Sequence, residues 1–192
     1  MRFAITIICF LLISSLAKGQ NTGTKWYSEN EKNGIIIQNS FPKGGPYTEP
    51  TNEHFNYSYL VFYTRVINET GHPIELTVSF SADSITIPNS PNTFVKVFLP
   101  PDTMTLDKQN LFSYGVTRLE SFDKSTNFQR TINSKKDCLF YTVALFYETN
   151  DNVLSEERGG NRAEFIFNGK DLFFNMLPQI DSLLCGQIIL NK

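Results

Sequence analysis

The side chains of this sequence that could do chemistry are two histidines, a scatter of carboxylates, two cysteines beyond the N-terminal leader and a row of tyrosines. His54 and His72 are the candidates for a base near neutral pH. His54 follows a Gly/Pro-rich stretch and precedes a Tyr-rich one, whereas His72 lies in the turn-like run Asn68-Glu-Thr-Gly71-His-Pro73, where solvation is expected. A serine or cysteine nucleophile needs such a base beside it. No HExxH, GxSxG, P-loop or GxGxxG pattern provides one. Glycoside hydrolysis needs two carboxyl groups held about 5–10 Å apart. Asp102, Asp107, Asp151, Glu156 and Glu157 fall in predicted loops, and their spacing pairs no two of them across a cleft. The stretch 150–157 lacks the Asp-x-Asp/Asn-x-Asp/Asn-Gly spacing of a calcium loop. Neither Cys138 nor Cys185 has a second Cys or His at metal-ligand spacing. The chain is therefore read with no catalytic residue, no metal and no cofactor.

The aromatic residues are the stronger functional signal. If 55–68 is a strand, Tyr57, Tyr59 and Tyr63 share one face, because alternate residues of a strand point the same way. Rings with polar handles suit sugars and protein partners, where one end is apolar and the other wet. Trp26, Tyr27 and Tyr47 would extend such a surface. The plainer reading is that this face is also core, with hydroxyls at its rim. Loops on rigid sheets often carry binding function. The loop 41–50, with Tyr47 inside it, is therefore expected to border any site together with His54 and the start of the following strand.

The elements that must position these residues are strands. From Gly34 onward the dominant hydrophobic period is two. Residues 35–38 form a short β-branched run, and 41–50 holds three Pro and two Gly, hence a loop. The long strand 55–68 carries Leu60, Phe62 and Val66 on one face and Tyr57, Tyr59, Val61, Tyr63 and Ile67 on the other. Ile74, Leu76, Val78 and Phe80 alternate with polar residues after the turn, so 55–68 and 74–81 are expected to pair as a hairpin. Residues 94–99 form another strand, stopped by Pro100-Pro101. The spacing of Leu106, Leu111, Tyr114 and Leu119 predicts one or two short helical turns in a connection between sheets, with Gly115 ending one. The run CLFYTVALFY over 138–147 is apolar on both faces and predicts a central strand. Residues 163–167 and 172–176 flank Asn168-Gly169 as a hairpin, and 183–190 closes the chain.

About eight to ten strands with little helix indicate an all-β fold, a single antiparallel β-sandwich. The expected core is Leu60, Phe62, Val66, Ile74, Leu76, Val78, Phe80, Val97, Phe140, Ala144, Phe146, Phe165, Phe167 and Ile188. The stretch from Val66 through Thr70-Gly71 to Val78 resembles the first hairpin of many exported immunoglobulin-like modules, which makes the sandwich broadly immunoglobulin-like. Trp26 lies upstream of both cysteines, so the Cys…Trp…Cys order of antibody domains is missing.

The N-terminus reads as an address. Arg2 precedes an apolar run over 3–16, and Ala17-Lys18-Gly19 puts small residues at the −3 and −1 positions of a cleavage site. The expected organisation is a cleaved signal peptide over 1–19, an N-terminal extension over 20–33 and the sandwich domain over 34–192. Loss of Arg2 and Lys18 from the 17 basic residues leaves 15 against 19 acidic ones, a charge near −4. That mild value excludes the dense basic footprint of a nucleic-acid binder. No membrane span is expected after cleavage, since no other apolar run approaches the roughly 20 residues required. Export to a periplasmic, cell-envelope or secreted location permits a disulfide, and Cys138 and Cys185 have one intramolecular pairing open to them. Asn56-Tyr-Ser58 and Asn68-Glu-Thr70 fit the glycosylation pattern, and the second falls in a turn where a glycan would fit. The functional reading is an exported, non-catalytic module that binds a protein or a glycan of the cell envelope. The alternatives are a carbohydrate-binding module using the tyrosine row and a hydrolase with an unrecognised carboxylate site.

Overall fold

The computed structural model describes residues 25–47, 57–88, 90–119, 123–148 and 162–191. The expected signal peptide over 1–19, His54, the sequon at Asn56 and the carboxylates Asp151, Glu156 and Glu157 lie outside the described residues. The strands are β1 (Ser28–Lys32), β2 (Ile35–Asn39), β3 (Lys43–Tyr47), β4 (Tyr57–Asn68), β5 (Ile74–Phe80), β6 (Ile85–Ile87), β7 (Ser90–Phe98), β8 (Thr126–Ile132), β9 (Lys136–Glu148), β10 (Glu164–Asn168), β11 (Asp171–Met176) and β12 (Ile180–Leu190). One seven-stranded sheet runs β1-β2-β4-β9-β7-β6, with β3 also pairing β4, and a five-stranded sheet runs β10-β11-β12-β5-β8. Every pairing between these strands is antiparallel. The two sheets form the expected all-β sandwich.

The core between the sheets contains every residue expected there, with Leu60 only partly covered. Phenylalanines dominate it. Phe165 is the hub, with ring centroids 5.2 Å from both Phe140 and Phe174 and 6.4 Å from Phe80. Such tilted and edge-on pairs add about 0.5–1.5 kcal/mol each beyond burial. The two short helical turns also form, as 3-10 turns at Leu106–Asn110 and Phe112–Gly115 in the crossing from β7 to β8.

The expected hairpin around residues 69–73 does not form. β4 pairs β2, β3 and β9 in one sheet, while β5 pairs β12 and β8 in the other. The turn is a corner of the sandwich, and the resemblance to an immunoglobulin-like first hairpin fails there. Alternation shows that each strand buries one face, and it is silent about which edge meets which partner. Asn68 holds the corner. Its Nδ2 donates to His72 O at 2.8 Å and Ile132 O at 2.9 Å, and its Oδ1 accepts from Thr70 N–H at 3.0 Å and Thr70 Oγ1 at 2.6 Å. Asn68 is 0% exposed, so the turn sequon, where a glycan was expected to fit, is closed in the folded protein.

Other departures share one cause. β1 lies inside the stretch expected to be an extension, β3 inside the expected loop 41–50, and β6 and β8 in stretches with no expected strand. β1, β6 and β8 end their sheets and β3 lies off the main path. Such strands need not bury both faces, so SENEK and TNFQRTI show little periodicity. In β3, KGGPY, a Cβ on Gly44 would lie 2.0 Å from Tyr59 O, so glycine lets this strand lie against β4.

The expected disulfide is absent. Both cysteines are free, Cys138 on β9 of the seven-stranded sheet and Cys185 on β12 of the other. Cys185 is the extra residue of a bulge between the β11 partners of Leu184 and Gly186, and its thiol donates to Leu172 O at 3.3 Å. Cys185 is buried and Cys138 partly buried, and both pack against the core as small hydrophobes. Thiol titration of the denatured, unreduced protein lacking residues 1–19 should find two reactive groups. A count of zero would restore the bridge.

A second side-chain amide ties the sheets together. Asn39, at the end of β2, accepts the Phe165 N–H at 3.0 Å and donates to Phe165 O at 3.4 Å, and Thr64 Oγ1 donates to it at 3.1 Å. It acts as a one-residue strand pairing between the sheets. Asn39→Ala leaves buried backbone groups of Phe165 unpaired. It should cost about 2–4 kcal/mol in urea unfolding, at about 1–3 kcal/mol per orphaned group. The partly exposed Gln38→Ala should stay within about 0.5 kcal/mol.

Candidate functional site

The tyrosine face of β4 is a second core. Tyr57, Val61 and Tyr63 join Tyr141, Val143 and Leu145 of β9 on the outer face of the seven-stranded sheet. Phe98, Met104, Tyr114, Val116 and Leu119, from the end of β7 and the crossing to β8, close over them, with Trp26, Tyr47 and Tyr59 at the margin. Trp26 meets Tyr63 edge-on at 5.3 Å, and Tyr47 meets Tyr57 and Tyr59 edge-on at 6.1 and 6.3 Å. Tyr63 is 2% exposed and Tyr57 8%, so these two rings are covered, while Tyr59 and Tyr47 are half-buried at the margin. Of the candidate binding residues, the structure brings Tyr47, Tyr57, Tyr59 and Tyr63 into one cluster, as structural members of it.

What the cluster does is hold a knuckle above it. Ser113 (φ 46°), Tyr114 (φ 52°) and Gly115 (φ 77°) are three consecutive residues in the left-handed region. For the two non-glycine residues that conformation costs about 1–2 kcal/mol each. The contacts that sustain it all come from the cluster and its rim. The Tyr114 hydroxyl donates to Phe41 O at 2.6 Å, and its ring meets Tyr63 edge-on at 4.8 Å. Lys43 Nζ lies 4.5 Å from the Tyr114 centroid and donates to Gln109 O and Leu111 O at 2.6 and 3.2 Å. Ser113 Oγ is 2.8 Å from Tyr59 OH, and Tyr141 OH donates to Tyr114 O at 2.6 Å. At about 1 kcal/mol for each hydrogen bond and a similar amount for each ring or cation contact, these offset the strain.

Three large apolar side chains, an apolar triplet, are exposed: two on the knuckle, and Phe41, whose carbonyl accepts the Tyr114 hydroxyl and whose ring lies 5.8 Å from Tyr27. Phe112 is 72% exposed, Leu111 50% and Phe41 42%. A large ring held in water by a strained backbone is a feature that packing alone does not produce. Phe112 lies beside β3, 3.7 Å from where a Cβ on Gly45 would sit. No known protein family, curated protein or solved structure matches this chain. The site therefore stands on its geometry.

The phenols of the cluster are held in their neutral form. Burial, then the neighbouring Tyr114 phenol, pushes Tyr63 up to about 12. Burial and the carboxylates of Asp102 and Asp107 push Tyr141 up to about 12, and burial raises Tyr114. These phenols stay protonated at neutral pH, as hydrogen-bond donors. His72 is exposed in the corner turn. Asp102 lies 3.6 Å from Arg118. Among the described residues no group of His, Cys, Asp and Glu could hold a metal ion, and no helix is long and apolar enough to cross a membrane.

Sequence reasoning found the tyrosine row and missed the triplet. Phe41, Leu111 and Phe112 come from segments about 70 positions apart, and backbone handedness at Ser113 and Tyr114 leaves no hydrophobic signature.

The raised phenols set a pH window. Unfolded tyrosine ionises near 10 and the folded Tyr63 and Tyr141 near 12, so stability from their neutral forms is complete below pH 10 and lost as pH rises through 12. Phenolate absorbance of these phenols should rise together with loss of the β circular-dichroism signal, above about pH 11. Their ionisation in the intact fold near pH 10 would contradict this burial.

Proposed function

We propose that the protein is an exported, non-catalytic sandwich module that binds a protein partner of the cell envelope through Phe41, Leu111 and Phe112. Export is supported by the Arg2 n-region, the apolar run over 3–16 and the Ala17-Lys18-Gly19 site. The single observation that carries the binding reading is Phe112, 72% exposed on the left-handed Ser113-Tyr114-Gly115 backbone. Aromatic anchors of this kind supply much of the binding energy at protein interfaces. Lys43 braces the knuckle through two carbonyls, so the triplet is set before any partner arrives. Burial of Tyr57 and Tyr63 disfavours a carbohydrate reading that uses their rings.

Photo-crosslinking tests the proposal. A benzoylphenylalanine in place of Phe112 should give one discrete protein adduct in cells that make the protein. The same probe at Gln129, on the outer face of the other sheet, should give none. Phe112→Ala should leave unfolding within about 0.5 kcal/mol of the parent. The same change should weaken the captured partner's affinity by about 2 kcal/mol, the mark of an interface hot spot. Equal labelling at both positions, or no adduct at 112, would rule the surface out.

A further inference from the structure

A second feature lies away from the knuckle, where the sandwich is open along one seam. β9 pairs β4 along its full overlap, from Tyr57↔Tyr147 to Asn68↔Lys136. It pairs β7 only from Phe98↔Val143 to Thr93↔Glu148. Beyond Phe98 the chain leaves the ladder at Pro100-Pro101, and residues 99–104 line the cleft as irregular chain, so the β7-side edge of β9 over 137–142 has no strand paired to it among the described residues. Across from it, β8 ends the five-stranded sheet and pairs β5 alone. β8 and β9 are joined at the 133–135 turn and diverge into different sheets. Between them is a cleft of about 380 Å³.

We propose that this seam receives an extended peptide segment of a partner protein, which adds as a strand to the free edge of β9 in the line that β7 vacates. Strand addition takes its affinity from main-chain hydrogen bonds and its specificity from pockets for alternate side chains, and the seam has both features. Leu139 O, on the lining strand, has the Cys138 thiol at 3.8 Å, a weak donor that a strand N–H would outcompete. The apolar walls are Met104, Phe128, Leu139 and Phe140, with Phe128 stacked on Phe140 at 5.4 Å.

The charges at the seam define the segment. Asp102 lies by Arg118, whereas Arg130 lies over the Phe128 ring at 5.7 Å, hydrogen-bonds the Cys138 side chain and has no carboxylate partner among the described residues. The fitting segment therefore alternates apolar residues and places one carboxylate opposite Arg130. The same features exclude arbitrary strands. Pro100 and Pro101 cannot extend the ladder, and Arg130 occupies a position in register with the inward Leu76 of β5. Inward charge and proline are the usual protection of a free edge.

The test is selection of peptides from a random displayed library on the mature full-length protein. The expected result is an extended, alternating consensus with an acidic residue, binding at micromolar order. N-methylation of those alternate backbone nitrogens that face β9 should weaken it at least about tenfold, while methylation at the intervening positions should not. Arg130→Glu should invert the preference from acidic to basic, and Phe112→Ala should leave binding unchanged. An empty selection, a peptide indifferent to N-methylation, or one lost with Phe112→Ala would overturn the proposal. The last two outcomes leave the Phe112 surface to be judged by its own crosslinking result.

Discussion

The fold depends on the double burial of β9. Phe140, Ala144 and Phe146 point into the core between the sheets, while Tyr141, Val143 and Leu145 point into the core beneath the β7–β8 crossing. Each fully buried large side chain contributes on the order of 1.5–3 kcal/mol, so this one strand anchors both cores. The tyrosine face of β4 can be buried because β9 beside it presents a matching apolar face. A strand with one wet face in that position would leave Tyr57, Tyr63 and the crossing with nothing to close against.

Two amides then settle how the sheets meet. Hydrophobic burial brings two faces together without fixing their offset, since it is non-directional. Asn39 and Asn68 supply direction, each hydrogen-bonding backbone groups that no strand reaches. Buried amides satisfied in this way are specific because a shift of the sheets would strand both partners. Asn68 also explains why the turn at 69–73 forms a corner rather than a simple hairpin.

The two proposed surfaces follow from where this double core ends. The crossing that closes the second core must also carry the chain to the other sheet, and its strained turn leaves Phe112 outside. The same crossing begins by leaving β9 at Phe98, which opens the seam. The single connection between Phe98 and Thr126 thus generates both features, and neither disturbs the packing beneath it.

Sequence alone determined the strands that bury at least one face and which residues of each strand face inward. Period two in β5, the unbroken apolar run of β9 and the Asn168-Gly169 turn are local patterns, and local patterns are legible along a chain. The separation of Phe62 from Tyr63 onto opposite faces of β4 was equally legible, since parity on a strand is a matter of counting. Edge strands escaped because they need no periodic face. The corner at Asn68 and the separation of Cys138 from Cys185 escaped because pairing is a choice among distant edges. Tertiary structure alone decided that a row of tyrosines would be covered, and by what. Burial depends on which segment folds over a face, and here that segment lies some fifty residues downstream, with backbone strain that only its tertiary contacts sustain.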